Sequence, residues 1–237
     1  MIRLDKLLAH SGYGSRKEVK ELIRKGQVSV NEVVIKDDDF KVDEVNDEVI
    51  VEGIIVDYQK FIYIMMNKPD GVLSATYDPK DPIVLDLIED TPTRGLFPVG
   101  RLDKDSEGLL LITNDGKLAH ELLSPKKHVD KVYYIEYEGE LVSDVKERFK
   151  EGIILEDNYK CLPASIELLN DNKAYVTISE GKFHQVKRMI NMCNGEVTYL
   201  KRIKLGPLEL DNSLKEGEYR FLSNLELDSL KNRKKML

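Results

Sequence analysis

Residues 100–111 include the side chains whose types and spacing could do chemistry. Three carboxylates, Asp103, Asp105 and Glu107, alternate along this segment and stand immediately before an apolar run that predicts a buried strand. Carboxylates can bind a metal ion, act on a substrate as an acid, base or nucleophile, or form a solvated turn. The residues by themselves leave two main interpretations: a solvated acidic turn, or a catalytic Asp103 with Arg101 beside it as a phosphate contact.

A calcium loop is excluded for the same segment. Asp103 would take the first position of that motif and Asn114 the twelfth, where a bidentate glutamate is required. Pro98 also lies where the motif needs an entering helix. Elsewhere there is no phosphate-binding glycine loop, dinucleotide fingerprint or paired-histidine motif, and the four histidines and two cysteines show no metal-ligand spacing. The sequence therefore predicts neither a metal nor a cofactor.

Several motifs, in the right order, resemble those of ribosomal pseudouridine synthases, and within these the small-subunit rRNA group called RsuA. The first is GRLD at residues 100–103, followed by SEGLLLITNDG at 106–116. The others are YIMMNKP at 63–69, KVY at 131–133, EGKFHQVKRM at 180–189, and LKRI at 200–203 with GPL at 206–208. RLDKLL at 3–8 and SRK at 15–17 resemble the small RNA-binding domain named after ribosomal protein S-four. Together the resemblances cover nearly the whole chain.

The resemblance implies an isomerase that converts a specific uridine of 16S rRNA, expected at position 516 in conventional rRNA numbering, to pseudouridine without cofactor or metal. The bond from C1′ to N1 is broken, the base turns, and C5 is joined to C1′. Asp103 falls on the family's catalytic aspartate, which could add to the base, attack the sugar or remove a sugar proton. The implied partner is small-subunit rRNA or an assembling small-subunit particle.

The resemblance also assigns roles to other residues. Lys187 falls on the family's basic position, where it should pair with Asp103 and offset the rise in the carboxyl pKa that burial causes. Tyr133 should stack on the base and help to remove the C5 proton, and Leu200 should wall the pocket. An exposed helical lysine, an ordinary strand tyrosine and a core leucine are the structural alternatives. The candidates to hold flanking phosphates are Arg101, Arg188, Arg202 and Lys204.

Strands with few helices are expected to position these residues. Apolar runs or alternation predict strands at 62–66, 109–112, 132–137 and 174–178, and helices at 118–123 and 186–193. Because strands and helices do not alternate regularly, we expect an α+β fold around a mostly antiparallel sheet. The resemblance implies the pseudouridine synthase fold, with a mixed, mostly antiparallel sheet flanked by helices. A short connection separates a smaller region at 1–57 from a larger one at 58–237. The resemblance implies that the first is a small α/β RNA-binding domain and the second the catalytic domain.

The N-terminal segment is predicted to form two short helices followed by small strands. Ser15 and Glu18 match a capping box at the start of the second helix. Arg16, Lys20 and Arg24 recur every four residues along that helix and form a basic stripe. We expect these and neighbouring cations to contact RNA: Arg3, Lys6, Arg16, Lys17, Lys20 and Arg24. A solvated face is the alternative.

Charge is segregated in a chain whose net charge is −7. Residues 1–36 contain eight basic and four acidic residues, whereas residues 37–60 contain nine acids and two lysines. Segregated charge decides partners more than the total does. We expect the acidic stretch at 37–57 to face away from RNA, because like charges repel.

Composition limits the remaining possibilities. The longest apolar run, at 61–66, is far below the ~20 residues that cross a bilayer, and the N-terminus lacks an apolar stretch like that of a signal peptide. We expect a cytoplasmic monomer without a membrane partner. The alternative functions are the same reaction on 23S rRNA, a non-catalytic RNA-binding or assembly protein, and, more distantly, a metal-dependent hydrolase. SPKKH at 124–128 and the lack of a basic tail favour the small-subunit group.

Overall fold

The computed structural model describes residues 1–44, 46–56, 58, 60–124 and 127–232. Two predictions fall partly outside these residues: the domain boundary at residue 57, and residues 125 and 126 of the segment 124–128. The chain divides into two compact units. The first comprises Met1–Ile62 and Glu89–Gly95, and the second comprises Tyr63–Ile88 and Leu96–Leu237.

The first unit is built from short helices and strands, as predicted. Its helices are α1 (Leu4–His10) and α2 (Arg16–Arg24). Its strands are β1 (Ile2–Arg3), β2 (Val28–Val30), β3 (Val33–Val34), β4 (Lys41–Val42), β5 (Val49–Val51) and β6 (Ile54–Ile55). β1 pairs with β4, and the other four form a sheet in the order β3-β2-β5-β6. The segment 89–95 joins this unit through Arg94, whose guanidinium donates to the carbonyl of Gly14 at 3.0 Å.

Local sequence explains why α1 and α2 form. Leu4 and Leu8 of α1 and Ile23 of α2 lie on the inner faces of their helices and are fully buried. The capping box is confirmed: Ser15 N donates to Glu18 Oε2 at 2.6 Å, and Glu18 N donates to Ser15 Oγ at 3.3 Å. These bonds satisfy backbone and side-chain groups that the first helical turn would otherwise leave unpaired.

The second unit contains the larger sheet. Its strands are β7 (Tyr63–Lys68), β8 (Phe97–Pro98), β9 (Glu107–Thr113), β10 (Lys131–Glu138), β11 (Ser165–Leu168), β12 (Lys173–Ile178), β13 (Glu196–Leu205), β14 (Leu208–Glu209) and β15 (Tyr219–Phe221). Its α-helices are α3 (Gly116–Leu123), α4 (Val145–Glu151), α5 (Gln185–Asn191) and α6 (Asn224–Asn232), and Val84–Leu87 forms a 3₁₀ turn. The predicted strands and helices are confirmed.

The large sheet is mixed and mostly antiparallel, which confirms the predicted α+β class. Its order is β11-β12-β10-β13-β9-β7-β15, and the pairing of β9 with β13 is parallel, in contrast to its other described pairings. Met65, Leu109, Leu111 and Leu122 are fully buried in a core beside it. No helix among the described residues is long and apolar enough to span a membrane.

Gly108 allows β9 to approach β13 closely. Its φ is +100°, and a Cβ at this position would lie 2.2 Å from the carbonyl oxygen of Arg202. A side chain at this position would therefore clash with the backbone of β13, and it would also disfavour the positive φ that the chain adopts here. The glycine brings the end of the loop that contains Asp103 against β13.

Candidate active site

A pocket lies over one face of the large sheet, where the loop 100–106 enters β9. The empty space within it is about 420 Å³, part of which is open solvent. Tyr133 of β10 lies opposite Arg202 of β13, and Leu200 is two residues before Arg202. Because side chains alternate along a strand, Tyr133 and Leu200 therefore lie on the same face of the sheet, and both line the pocket. The loop contributes Asp103, and the residues at the start of α5 contribute His184 and Gln185. The structure thus brings the predicted Asp103, Tyr133 and Leu200 together in one site.

Asp103 is held at the pocket wall with its carboxylate partly open to the space. Its side chain is 22% exposed, and its Oδ1 lies 3.6 Å from Nε2 of His184. Its backbone carbonyl accepts a hydrogen bond from Ser106 N at 3.1 Å, which closes a tight turn. The carboxylate can therefore reach a small substrate while its backbone stays fixed.

Two buried side chains fix the loop on either side of Asp103. Ser74 Oγ accepts a hydrogen bond from Leu102 N at 3.1 Å and donates to Leu102 O at 2.9 Å. Lys68 Nζ donates to the carbonyls of Lys104 at 3.1 Å and Ser106 at 2.7 Å. The backbone on both sides of the carboxylate is therefore anchored to β7 and the segment that follows it.

Lys68 is a buried cation. Its side chain is 0% exposed, and a third hydrogen bond, to Pro69 O, is 2.9 Å long. Burial lowers the pKa of Lys68 to about 8, although the nearby carboxylates Asp70, Asp105 and Asp103 raise it in part. The three carbonyl acceptors account for a buried lysine at the end of a strand that is mainly apolar.

The three alternating carboxylates have separate partners. Asp103 faces His184, Asp105 Oδ1 lies 2.6 Å from Lys187 Nζ, and Glu107 accepts the hydroxyl of Tyr199 at 2.6 Å. Among the described residues, no group of His, Cys, Asp and Glu side chains has a geometry that could hold a metal ion. This arrangement does not favour the metal-dependent hydrolase.

The expected pairing of Lys187 with Asp103 is wrong in this structure. The hydrogen bond from Lys187 holds the pKa of the Asp105 carboxyl below its ordinary value. α5 presents the lysine to the middle of the loop, two residues beyond Asp103, and spacing along the sequence could not distinguish the two aspartates. The ion pair ties α5 to the loop that contains the catalytic candidate.

Tyr133 lies in the pocket wall and is only 7% exposed. It is directly opposite Val176 on β12 and Arg202 on β13. No hydrogen-bond partner of its hydroxyl is found in the part of the chain that the structure describes. Two residues earlier, Lys131 Nζ is buried and donates to Val129 O at 2.8 Å; burial, with Arg202 nearby, lowers the pKa of Lys131 to about 8.

The prediction that Arg202 holds a phosphate is wrong. The residue is 2% exposed, and its Nε donates to Leu109 O at 2.8 Å. Alternation along β13 places Arg202 on the same inner face as Leu200, between β10 and β9. Its Nη2 and Ser106 Oγ are buried atoms for which the described residues provide no hydrogen-bond partner. Of these two residues, only Ser106 lines the pocket.

Other predicted phosphate contacts are already paired with carboxylates. Arg188 Nε lies 2.6 Å from Glu156 and its Nη2 lies 2.7 Å from Asp157, so this arginine is not a free cation at the pocket. Lys204 Nζ lies 2.9 Å from Glu209. Arg101, by contrast, is exposed and lines the pocket. Its role as a phosphate contact stays a prediction.

The basic stripe on α2 is not a free cationic surface, contrary to expectation. The fully buried Asp5 accepts hydrogen bonds from Arg3 at 3.0 Å and Arg16 at 2.9 Å. Burial alone would raise the pKa of Asp5, but these hydrogen bonds hold it below the ordinary value. Lys20 and Arg24 both pair with Asp38, at 3.1 and 2.9 Å.

Part of the acidic stretch, which we expect to face away from RNA, pairs with the cations that we expect to contact it. Asp38 packs against α2, and Asp39 pairs with Arg3. Among the predicted RNA contacts, Lys6 and Lys17 are exposed and form no ion pair with a described residue. These two ammonium groups are therefore accessible to a polyanion.

Lys68 and Ser74 are the positioning residues that motif reasoning missed. Lys68 had a detectable signal, since a lysine two residues beyond the apolar segment 61–66 must find several acceptors if the strand is buried. Ser74 had none, because its partner Leu102 is 28 residues away. The same holds for the ion pair between Asp105 and Lys187, which are 82 residues apart.

Comparison with known proteins gives a consistent result for both parts of the chain. Residues 62–192 match the family described as RNA pseudouridylate synthase, and residues 2–49 match the S4 domain. The chain is 49% identical over 234 residues to "Uncharacterized RNA pseudouridine synthase YtzG" of Bacillus subtilis (strain 168), covering 97% of this chain and 98% of the relative.

Relatives with ribosomal names also match along nearly their full lengths. Ribosomal small subunit pseudouridine synthase A of Vibrio cholerae is 38% identical, with 97% of this chain and 99% of the relative covered. Ribosomal large subunit pseudouridine synthase B of Bacillus subtilis is 37% identical, with 98% and 96% covered. A solved structure described as a pseudouridylate synthase superposes with a TM-score of 0.68 at 33% identity, covering 97% of this chain and 100% of that one.

Proposed function

The chain belongs to the family of RNA pseudouridylate synthases, and on this premise we propose that it converts a uridine of small-subunit rRNA to pseudouridine. The carrying observation is the shared pocket of Asp103, Tyr133 and Leu200, with the carboxylate partly open to its space. The small-subunit substrate is supported by the full-length similarity to the synthase A of Vibrio cholerae. The predicted position in the rRNA is part of the proposal.

The reaction exchanges one bond for another within a single nucleotide. The bond between N1 and C1′ breaks, the uracil turns, and C5 bonds to C1′; C5 loses a proton and N1 gains one, so no electrons are consumed. Asp103 supplies the carboxylate for this exchange. Tyr133 stacks on the uracil, and its hydroxyl, which has no partner among the described side chains, assists the loss of the C5 proton. Leu200 forms the apolar wall.

Lys187 acts in this proposal as a positioning residue. Its ion pair with Asp105 links α5 to the loop, two residues from Asp103. Lys68 and Ser74 hold the same loop through hydrogen bonds to its backbone, at Ser106 and Leu102 respectively. A carboxylate fixed by three such contacts loses little freedom when the substrate binds, which favours catalysis.

RNA binding must supply the free energy that takes the uridine out of its stack, a few kcal/mol. We propose that Arg101 holds a phosphate at the mouth of the pocket. An N-terminal RNA-binding domain, proposed to span residues 1–57, adds affinity through Lys6 and Lys17. The proposal includes a monomeric enzyme that works in the cytoplasm, where rRNA is assembled into particles.

The test is a gene deletion followed by mapping of pseudouridine across both rRNAs. A single site lost from small-subunit rRNA and restored by the wild-type gene is expected. Asp103→Asn keeps the shape of the side chain but removes its charge, so it should bind RNA and restore nothing. Asp81→Asn is the matched control, because Asp81 pairs with Lys104 of the same loop but does not line the pocket.

The alternative substrate is large-subunit rRNA. It is favoured by the similarity to the synthase B of Bacillus subtilis, which at 37% identity is almost as close as the small-subunit relative. A site lost from large-subunit rRNA in the deletion strain would establish this alternative. Full activity of Asp103→Asn would instead contradict the catalytic assignment, whichever rRNA is the substrate.

A further inference from the structure

An exposed aromatic ring stands between two residues that line the pocket, Lys182 and His184. Phe183 immediately precedes the pocket residue His184 and is 75% exposed, although burial of a phenylalanine ring is favourable by a few kcal/mol. The two rings stack on each other, with centroids 3.7 Å apart and an interplanar angle of 19°. His184 therefore covers one face of the Phe183 ring and leaves the other face open.

The backbone holds this pair of rings in place. His184 has a φ of +48°, a left-handed conformation that is uncommon for a residue other than glycine and persists where surrounding contacts enforce it. The turn is anchored by the buried Gln185, which accepts from Lys182 N at 2.9 Å and donates to Glu180 Oε1 at 2.9 Å. The rings are thus presented by a fixed turn rather than by a free loop.

The inner ring of the pair faces the catalytic candidate. His184 Nε2 lies 3.6 Å from Asp103 Oδ1, so the stack extends outward from the proposed site of reaction. Two cations, Arg101 and Lys182, also line this pocket. An open aromatic face with cations close by is the combination that binds single-stranded nucleic acid, since bases stack on the ring while phosphates contact the charges.

We propose that Phe183 is a stacking platform for the nucleobase next to the target uridine. When the uridine turns into the pocket, its neighbour loses one stacking partner, and the open face of Phe183 replaces it. His184 supports the platform from behind. The inference rests on the proposed function, because only a polynucleotide substrate has a neighbouring base to stack.

The test compares Phe183→Leu with Phe183→Trp. Leucine keeps apolar volume but cannot stack, whereas tryptophan retains a stacking face. Both are made in the Asp103→Asn background, so that binding of a small-subunit rRNA transcript is measured without turnover. Base–aromatic stacking predicts an affinity about 5- to 150-fold weaker for Phe183→Leu, and near-parental affinity for Phe183→Trp. Phe221→Leu is the matched control, since Phe221 is an exposed phenylalanine of β15 that neither lines the pocket nor adjoins a residue that does.

A second readout locates the base. In a hairpin cut from that transcript, 2-aminopurine replaces the neighbour of the uridine, and its fluorescence should be quenched by the parent and by Phe183→Trp but not by Phe183→Leu. The thermal midpoint should stay unchanged in all three, because the ring is exposed. Equal affinity and quenching in the parent and Phe183→Leu would overturn the platform. Failure of the proposed function is seen separately, as an active-site-intact protein that forms no pseudouridine in either rRNA.

Discussion

Replacing Lys68 with methionine should destabilise the loop that contains Asp103. Lys68 Nζ donates hydrogen bonds to three carbonyls, at 2.7, 2.9 and 3.1 Å. A hydrogen bond from a charged donor contributes about 1.5–3 kcal/mol, so the three together contribute about 5–9 kcal/mol. Methionine keeps most of the length and volume of the side chain but offers no donor, so the three carbonyls lose the ammonium as a partner. The carbonyl of Lys104 keeps its hydrogen bond from Gly71 N, at 2.9 Å.

The cost of burying the ammonium offsets part of this contribution. Burial lowers the pKa of Lys68 from 10.5 to about 8, which corresponds to about 3 kcal/mol against the charged form. The difference predicts that Lys68→Met lowers the free energy of unfolding by about 2–6 kcal/mol. Because two of the freed carbonyls, those of Lys104 and Ser106, closely follow Asp103 in its loop, kcat should fall while the Kd for RNA changes little.

Urea unfolding followed by tyrosine fluorescence gives the stability, since the chain has 11 tyrosines and no tryptophan. Lys104→Met is the matched control: its ion pair with Asp81 is exposed and contributes at most about 1 kcal/mol. If Lys68→Met does not fold, Ser74→Ala removes the other anchor of the loop at a smaller cost, about 1–3 kcal/mol. A Lys68→Met protein as stable and as active as Lys104→Met would refute the reasoning.

Two further predictions concern charge. The hydrogen bond from Arg220 lowers the pKa of Glu226 from 4.5 to about 2, so Arg220→Gln should reduce stability at neutral pH. The difference from wild type should shrink as pH falls from 4.5 towards 2, because protonation of Glu226 abolishes the ion pair that only the wild type has. The measurement is urea unfolding of both proteins at a series of acidic pH values. A difference in the free energy of unfolding that stays constant over this pH range would exclude the ion pair of Arg220 and Glu226 as its source. Lys6→Gln with Lys17→Gln should weaken rRNA binding and reduce the slope of log affinity against log salt by about 0.7–0.9 per lost contact, whereas Arg24→Gln, whose partner Asp38 is then left with Lys20 alone, should change the slope less. The slopes are measured by filter binding. If the double lysine variant has the same salt slope as the wild type, the RNA binds on another surface.

The local elements of this protein could be predicted because each depends on residues close together in the chain. The capping box of Ser15 and Glu18 spans three residues. The buried strand at 109–112 follows from an unbroken apolar run, and the α+β class follows from the order of such segments. Asp103 was identified by its motif, and the structure places it beside Tyr133 and Leu200 in one pocket.

The sequence by itself therefore determined the family, the elements and the carboxylate at the centre of the candidate site. Only the tertiary structure decided which charges meet. Lys187 contacts Asp105 rather than Asp103, Arg202 lies inside the sheet, and Asp38 neutralises part of the stripe on α2. The physical reason is that strand register and helix packing set the distances between charged groups that are far apart in the chain. The type and spacing of charges in the sequence allow several such pairings, and a few ångströms decide which one forms.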